Sequence, residues 1–273
     1  MKGRRLIFHF YAMPGYESNP AYAMHFACLR KYADVFDSAK FIISVDDTSD
    51  RELIKSVAEK IVSCGFVENT EFVVTENTIY REALTFKTEI VDKMDELSGM
   101  TFFAHTKGAS NISVPEYNAE SILKWIFGCY YLSLEYIEEM HNQAQVYQPY
   151  DQRFFFGSFL KEVPPENGGG TRYGAEYEGT FFWVNCQPLL DYLNDNKIPV
   201  PRNFGRFYAE RFPGDLFPIN GHIGSHNLRY FVGDVSLYLY CDRVIDLVLN
   251  REGEKERFYE KYNETYDSQK FGF

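Results

Sequence analysis

The stretch Met100-Thr-Phe-Phe-Ala-His105-Thr-Lys107-Gly108-Ala-Ser-Asn111 joins an apolar run to a polar turn that contains a glycine. Residues 101–104 have the composition of a buried strand, and the next four bring an imidazole, a hydroxyl, an ammonium group and a glycine. In open α/β sheets, ligands bind in the crevice outside the carboxyl ends of the strands. Lysine is a compact charge that suits phosphate, and glycine lets the backbone approach an anion closely. The stretch therefore predicts an anion site at a strand end; a solvated lysine beside a turn glycine is the simpler alternative.

The hundred residues before this stretch alternate between short apolar runs and amphipathic segments. Strands are predicted at residues 6–11, 39–45, 71–75 and 101–104, with helices over 21–32, from a cap at Thr48 or Ser49 through 61, and over 83–97. Because such alternation produces parallel sheets with right-handed crossovers, this half predicts a Rossmann-like parallel βαβ arrangement. The chain has neither a Gly-x-Gly-x-x-Gly after the first strand nor a Walker lysine loop, so a dinucleotide enzyme or a P-loop NTPase is unsupported.

The second half of the chain loses this alternation. Helices are predicted at residues 117–139, 188–194 and from 245 onward, strands at 154–159, 177–185 and 232–243, a loop at 164–177 and irregular structure at 199–220. No internal repeat or linker divides the sequence. We therefore predict one α/β domain over residues 1–273, with a nucleotide-binding half at 1–115 and a mixed-sheet, acceptor-binding half with a C-terminal helix at 116–273.

Composition narrows the class of protein. The net charge of -11 over 273 residues argues against a nucleic-acid partner, which usually needs a basic face. Aromatic residues make up 18% of the chain, which suits both a core and a groove for sugar rings. Five scattered cysteines without a Cys-x-x-Cys pair are typical of reduced thiols and predict a cytoplasmic protein. No apolar run is long enough to span a membrane, so no transmembrane segment is predicted.

Polar side chains lie at the predicted ends of the first two strands. Asp46 and Asp47 follow the second strand, where carboxylates of nucleotide-binding folds commonly take ribose hydroxyls or a base edge. An acidic turn that caps the next helix is an equally good interpretation. His9 and Tyr11 lie on the same rim and could pack on a base.

Two polar pairs follow the third predicted strand. Glu76-Asn77 ends that strand, and Arg81-Glu82 comes just beyond it. Both pairs could complete a nucleotide pocket, with Asn77 as the contact we select. A solvated loop is the competing interpretation for each pair.

The segment Glu178-Gly179-Thr-Phe-Phe182-Trp183 places a glycine before consecutive aromatic residues. Exposed backbone at Gly179 and ring surface at Phe182 and Trp183 would suit the hydroxyls and faces of a sugar. An ordinary buried strand is the alternative.

The segment Arg206-Phe-Tyr-Ala-Glu210-Arg211-Phe-Pro-Gly-Asp215 gathers acidic and basic groups in a Pro/Gly-bounded stretch. A carboxylate here could act as general base on an acceptor hydroxyl. Salt bridges within the stretch explain the same spacing equally well.

The sequence contains no clear metal-binding motif and no clear motif of a catalytic nucleophile. His222 and His226 are four residues apart, but the intervening Gly224 makes a metal-binding helix doubtful. The sequence also lacks Gly-x-Ser-x-Gly and any local Cys/His nucleophile signature. We therefore predict no metal ligands.

The ordered set of these elements resembles a known class of enzymes. It runs, in order, through Phe103-Ala-His105-Thr106-Lys107-Gly108, Trp125, Gly179-Thr-Phe-Phe-Trp183 and Ala209-Glu210-Arg211. The set resembles GT-A-type glycosyltransferases, and more narrowly the glycosyltransferase-like proteins of polysaccharide biosynthesis that carry His-(Ser/Thr)-Lys-Gly after the fourth strand. The resemblance covers residues 6–215.

The sequence departs from the GT-A pattern at one position. In that class the fourth strand usually ends in Asp-x-Asp, whose carboxylates hold a divalent metal against the diphosphate, whereas this chain has His105-Thr106-Lys107 there. A lysine and a protonated histidine can neutralise a leaving diphosphate directly, as the metal otherwise would. No cofactor is therefore certain, although Asp46, Asp47 or a later carboxylate could still hold Mg²⁺ or Mn²⁺.

The resemblance implies a hexosyl- or pentosyltransferase that moves a sugar from a nucleoside-diphosphate donor, preferably a UDP-sugar, to a glycan hydroxyl in surface polysaccharide biosynthesis. On this hypothesis, His9, Tyr11, Asp46, Asp47 and Asn77 hold the nucleoside; His105, Thr106 and Lys107 hold the diphosphate; and Trp125, Gly179, Phe182, Trp183, Arg206 and Arg211 line the sugar and acceptor site. Glu210 is the general base if the enzyme inverts, with Asp215 in reserve. Two other classes stay open: a nucleotidyltransferase and a non-catalytic glycan-binding module.

Overall fold

The structure is a computed structural model. It describes residues 3–109, 119–135, 137, 154–157, 160–163, 174–177, 180–201 and 204–216. The predicted strand at 232–243, the helix from 245 onward, Gly179, and the pair His222 and His226 lie outside these residues.

The centre of the fold is a six-stranded mixed sheet. The described residues contain eight strands, of which six form this sheet. They are β1 (Arg4–Tyr11), β2 (Ser38–Val45), β3 (Thr70–Glu76), β4 (Met100–His105), β5 (Phe155–Gly157), β6 (Leu160–Val163), β7 (Gly174–Tyr177) and β8 (Phe182–Asn185). The sheet order is β3-β2-β1-β4-β8-β5, while β6 and β7 form a separate antiparallel pair. Strands β1 to β4 are parallel, and β8 is antiparallel to both of its neighbours. The predicted α/β class and the parallel arrangement of the first half are confirmed, and β8 and β5 of the second half join the same sheet and make it mixed.

Helices cover both faces of the sheet. They are α1 (Pro20–Tyr32), α2 (Arg51–Val62), α3 (Glu82–Phe86), α4 (Ala119–Leu134), α5 (Cys186–Asp195) and α6 (Tyr208–Leu216). Buried side chains of α1, α2 and α4 share one core cluster with Phe8, Phe41 and Trp183. Those of α3, α5 and α6 share a second cluster with Ile7 and Phe182. Because strand side chains alternate between faces, consecutive residues such as Phe182 and Trp183 enter different clusters.

The first two helices begin at side-chain caps. The Asn19 side chain accepts a hydrogen bond from the Ala21 backbone N–H, and Pro20 occupies the first helical position of α1. Asp50 accepts from the backbone N–H of Leu53 at the start of α2. The prediction that Thr48 or Ser49 caps α2 is therefore wrong.

Three other element predictions need correction. The predicted helix at 83–97 is α3 followed by a π-helix at Lys87–Val91 and turns. Strand β7 occupies residues that were predicted to be loop. Helix α6 lies in a segment that was predicted to be irregular. The prediction failed because Pro213, inside the helix, obscured the four-residue spacing of the buried Tyr208, Phe212 and Leu216.

Among the described residues, none of the helices combines the length and the apolar character that a membrane span requires.

Candidate functional site

A cleft opens where the carboxyl ends of the parallel strands meet α3 and the segment before α6. It has a volume of about 90 Å³ and is lined by His9, Tyr11, Asn77, Arg81, Glu82, His105, Thr106, Lys107, Gly108 and Arg206. Seven of these ten residues belong to the predicted site. The parallel topology explains this convergence, since the ends of parallel strands lie along one edge of the sheet.

Thr106 fixes the start of the polar turn to β1. Its Oγ1 accepts a hydrogen bond from the Tyr11 backbone N–H at 2.9 Å, and its own backbone N–H donates to the His9 carbonyl at 3.1 Å. These bonds continue the β1–β4 ladder by one residue beyond the end of β4. The turn therefore leaves the sheet in a defined direction.

Helix α1 and its N-cap residue hold two further residues of the turn, Lys107 and Ala109. Buried His25 contacts the Lys107 carbonyl through Nε2 at 2.9 Å and the Tyr130 hydroxyl through Nδ1 at 2.9 Å. Since a carbonyl can only accept, Nε2 carries the proton and Nδ1 accepts from the hydroxyl. The Asn19 side-chain amide donates to the Ala109 carbonyl at 2.9 Å. Burial lowers the pKa of His25 to about 4, so this anchor is neutral at physiological pH.

Gly108 allows the turn to pack against α4. Its φ of +79° lies in the left-handed region, and a Cβ added there would come within 2.7 Å of the Ile122 Cγ2 atom. Both the backbone conformation and the close approach require glycine at this position.

Lys107 lies between an acidic group and an aromatic ring. Its Nζ is 3.5 Å from Glu210 Oε1 and 5.0 Å from the centroid of the Trp125 ring. The Lys107 side chain is 26% exposed and the Glu210 side chain only 12%, so the ammonium group reaches the cleft while its partner is shielded. Helix α6 thus brings Glu210, the predicted base, to the lysine that we predicted to bind the diphosphate. An ammonium group over a ring face also gains a cation–π attraction.

Two histidines lie side by side on the floor of the cleft. His9 of β1 and His105 of β4 are neighbours in the parallel register. The His9 Nδ1 atom is 2.8 Å from Thr85 Oγ1, and the His105 Nδ1 atom is 3.9 Å from Glu82 Oε2. Burial lowers the pKa of His9 to about 4; the Glu82 carboxylate opposes this, whereas His105 and Arg81 add to it. His9 is therefore neutral at physiological pH.

Asp46 links the ends of the first three strands. Its Oδ2 accepts a hydrogen bond from the Tyr11 hydroxyl at 2.9 Å, and its Oδ1 accepts from the Asn77 side-chain amide at 2.9 Å. Burial and the bond to Asp46 raise the pKa of the Tyr11 hydroxyl. The predicted nucleoside residues Tyr11, Asp46 and Asn77 are thus brought together.

Asp47 and Asp215 are placed differently. The Asp47 side chain is exposed and accepts from the backbone and side chain of Ser49 at 2.8 and 2.7 Å, as expected for an acidic turn. Asp215 lies five residues after Glu210 on α6, which rotates it by roughly 140° around the helix axis. Neither residue lines the cleft.

The aromatic strand does not provide a sugar-binding surface. Phe182 and Trp183 have no exposed area, and the Trp183 indole N–H donates to the Ser133 carbonyl at 2.8 Å within the core. The prediction that these rings line a sugar groove is wrong, because neither reaches the surface. The alternative of a buried strand is correct.

Aromatic surface occurs instead at the mouth of the cleft. Phe207 is 51% exposed and lies between the guanidinium groups of Arg206 and Arg211, at 5.7 and 5.8 Å from its ring centroid. Tyr80 and Phe204 pack on each other, with ring centroids 4.8 Å apart. Arg206 and Arg211 were predicted sugar or acceptor contacts. Phe207 was missed because its exposure cannot be recognised from spacing.

Arg81 holds an unusual backbone conformation beside the cleft. Its φ is 46° and its ψ is -129° at the residue before α3. L-residues rarely adopt positive φ, and such strain concentrates at functional sites. Arg81 and Glu82, the pair that the sequence offered as a completion of the pocket, line the cleft, whereas Thr85 and His25 were not predicted.

No group of three or more His, Cys, Asp or Glu side chains in the described residues is arranged to hold a metal ion. At the end of β4, where GT-A enzymes carry metal-binding carboxylates, this chain has an imidazole and an ammonium group. An ammonium group cannot ligate a metal while it is protonated, so this strand end does not fit a divalent cation.

No protein-family model matches this chain, and no curated protein matches it at a significant level. Function is therefore inferred from the residues of the cleft.

Proposed function

We propose that this protein is a glycosyltransferase that moves a sugar from a nucleoside-diphosphate donor to a glycan hydroxyl. The observation that carries the proposal is the position of Lys107. Its ammonium group lies in a cleft at the carboxyl end of β4, held between Glu210 and Trp125. This is the point at which a diphosphate would bind in a GT-A arrangement, and Arg81 and Arg206 add two further cations to the same cleft.

The nucleoside would bind across the ends of the first three strands. The hydrogen-bonded group of Tyr11, Asp46 and Asn77 offers a phenol ring, a carboxylate and an amide. A ribose diol or a base edge presents complementary donors and acceptors to such a group. A UDP-sugar is our preferred donor.

The diphosphate would bind at the turn after β4. Lys107 and the His105 imidazole face its oxygens, and the Thr106 hydroxyl, which accepts from Tyr11, still has its own proton to donate. When the bond between the anomeric carbon and the diphosphate oxygen breaks, negative charge develops on the leaving group. Preorganised cations in a shielded cleft stabilise that charge more strongly than the uncleaved donor.

Glu210 is our candidate base for the acceptor. In an inverting reaction it would take the proton of the acceptor hydroxyl as the hydroxyl oxygen bonds to the anomeric carbon. Donor binding would place phosphate oxygens against Lys107 and so release the Glu210 carboxylate from its ion pair. A retaining reaction would not require this base.

The acceptor would approach over Phe207, whose exposed ring lies next to Arg206 at the mouth of the cleft. We place the reaction in the cytoplasm and in surface polysaccharide biosynthesis. In the described part of the chain, Cys28, Cys64, Cys129 and Cys186 are all buried, and buried thiols suit a reducing compartment.

The proposal is tested by incubating the wild-type protein with radiolabelled UDP-sugars and an oligosaccharide panel. We expect labelled glycan together with released UDP. Release of pyrophosphate would indicate a nucleotidyltransferase, and glycan binding without turnover would indicate a binding module; either result would contradict the proposal.

Lys107→Ala is the matching variant, with Lys55→Ala on the exposed face of α2 as its control. We expect Lys107→Ala to lose at least about 100-fold in turnover while Lys55→Ala keeps the wild-type rate, because charge-assisted contacts to a transition state are worth about 3 kcal/mol. Near-normal turnover in Lys107→Ala would show that this lysine does not bind the diphosphate.

A further inference from the structure

Helix α3 presents two side chains to the histidine pair on the cleft floor. Glu82 and Thr85 are three residues apart, so they lie on one face of the helix. Thr85 bonds to His9, and the Glu82 Oε2 atom lies 3.9 Å from His105 Nδ1, close enough for an ion pair when the imidazole is protonated. Each histidine thus has its own partner on α3.

The Glu82–His105 pair is shielded from water. The two side chains are 15% and 8% exposed, and the Phe181 ring lies 5.9 Å from the imidazole. Charges that are removed from water interact more strongly than exposed pairs, because less solvent screens them. A separation of 3.9 Å supports an ion pair but is too long for a direct hydrogen bond.

The surroundings favour a positive charge on only one of the two histidines, and they favour that charge on His105. Two adjacent imidazoles do not both charge readily, because like charges repel. His9 is buried and bonds to a neutral threonine, and the Glu82 carboxylate, which also acts on His9, lies at ion-pair distance from His105. Among the residues that the structure describes, the other charged groups at the cleft are Arg81 before α3, Lys107 in the turn, Glu210 on α6 and Arg206 before α6.

We propose that Glu82 is a positioning residue that keeps the His105 imidazole protonated and directed at the diphosphate of the donor. This inference rests on the proposed function, since the imidazolium acts on the same leaving group as Lys107. It predicts that the affinity for a nucleoside diphosphate is high at low pH and falls as pH rises through the titration of His105. A purely structural role, such as favouring the N-terminus of α3, would not link Glu82 to that titration.

The test follows the histidine imidazoles of the ¹⁵N-labelled full chain by NMR from about pH 5 to about pH 9, with His105→Gln used for assignment. The variants are Glu82→Gln and Glu89→Gln. Glu89 is a matched control because its side chain is 14% exposed and paired with Lys40 and Lys93, away from the cleft. We expect His105 to lose its proton about one pH unit lower, or more, in Glu82→Gln and at the wild-type pH in Glu89→Gln.

UDP binding to the same proteins, measured at about pH 6 and about pH 8, completes the test. We expect the wild type to bind about tenfold more weakly at the higher pH, and Glu82→Gln to bind weakly at both, as for loss of one charge-assisted contact. An unchanged His105 titration in Glu82→Gln would overturn the inference, as would UDP binding that does not depend on pH; in the second case Lys107 could still hold the diphosphate. A shifted titration in a protein that binds no nucleotide would overturn both this inference and the proposed function.

Discussion

At the scale of single residues, Lys107 and Glu210 form an ion pair that donor binding would have to break. The ammonium and carboxylate atoms are 3.5 Å apart, and the carboxylate is the more deeply buried partner. In the absence of an anion, the carboxylate therefore takes the place beside Lys107 that a phosphate oxygen would need. On the proposed function, the pair would oppose donor binding, and the carboxylate released from it would act as the base.

This competition gives Glu210→Gln opposite effects on binding and turnover. We expect the affinity for UDP to stay equal or rise severalfold, because Lys107 no longer pairs with a carboxylate. We expect kcat to fall by about 100-fold or more, because the base is lost. Calorimetry and initial rates measure the two quantities. Weaker UDP binding together with an unchanged kcat would contradict both roles of Glu210.

Several residues of the site could be predicted because strand ends could be predicted. Asp46, Asn77, His105 and Lys107 each follow an apolar run, and the parallel topology brings such positions to one edge. His25 could not be recognised, since a histidine inside an amphipathic helix looks like any other buried polar residue. Its hydrogen bond to the Lys107 carbonyl joins residues that are far apart in the sequence, so only the folded structure reveals it.

At the scale of elements, the turn after β4 depends on close packing against α4. Gly108 and Gly15 both have positive φ, at +79° and +76°, but only Gly108 faces a crowded site. Gly15→Ala should destabilise the fold by about 1–2 kcal/mol from its backbone conformation alone. Gly108→Ala should cost a further 1–3 kcal/mol, roughly, from the clash with Ile122, and should weaken UDP binding.

Urea denaturation of the two variants measures this difference, and nucleotide titration measures its functional effect. Gly15→Ala is the control because no atom lies within 4 Å of its added Cβ. Equal stability losses in the two variants, with unchanged UDP affinity, would show that the turn does not need its contact with α4.

The segment before α6 supplies the aromatic surface of the cleft mouth. We expect Phe207→Ala to raise KM for the acceptor severalfold and leave UDP affinity unchanged, because the ring lies outside the strand-end pocket. Val67→Ala, at a 71% exposed site before the amino end of β3, is the control, because the cleft lies at the carboxyl ends of the strands. An unchanged acceptor KM, or a loss of UDP binding, would remove Phe207 from the acceptor site.

The predictions were least accurate for elements whose burial and packing partners the sequence does not indicate. Helices cover both faces of the sheet, so β8 shows no alternation of polar and apolar residues, and its rings gave no sign of which surface they occupy. Pro213 and Gly214 made α6 look irregular, although the apolar spacing of a helix was present. Tertiary packing decided both cases.

At the scale of the whole molecule, two buried neutral histidines link stability to pH. The pKa values of His9 and His25 are lowered from 6.5 to about 4 by burial. In the unfolded chain, each of these imidazoles takes up a proton as pH falls below 6.5. In the folded chain, the same imidazoles stay neutral until about pH 4. The free energy of unfolding should therefore fall as pH falls through this window, by roughly 3 kcal/mol per histidine at its lower end.

Urea denaturation between pH 6.5 and 4.5 measures this dependence in the wild type and in His25→Gln. Asp37, Asp47 and Glu89, whose pKa values lie below their ordinary 3.8 or 4.5, act mainly at lower pH. We expect His25→Gln to be less stable at neutral pH but less sensitive to acid. An identical pH dependence in the two proteins would show that His25 does not carry the linkage.

The central claim is that a cleft at the strand ends binds a nucleoside diphosphate through Lys107 rather than through a metal. The most direct measurement is the melting temperature of the wild type and of Lys107→Ala with UDP, GDP, CDP or dTDP, each in EDTA and in Mn²⁺. A ligand that binds only the folded state raises the melting temperature. We predict that one nucleotide, preferably UDP, stabilises the wild type equally in EDTA and in Mn²⁺ and does not stabilise Lys107→Ala. Stabilisation only with Mn²⁺, equal stabilisation of the variant, or no stabilisation by any of the four would contradict the claim.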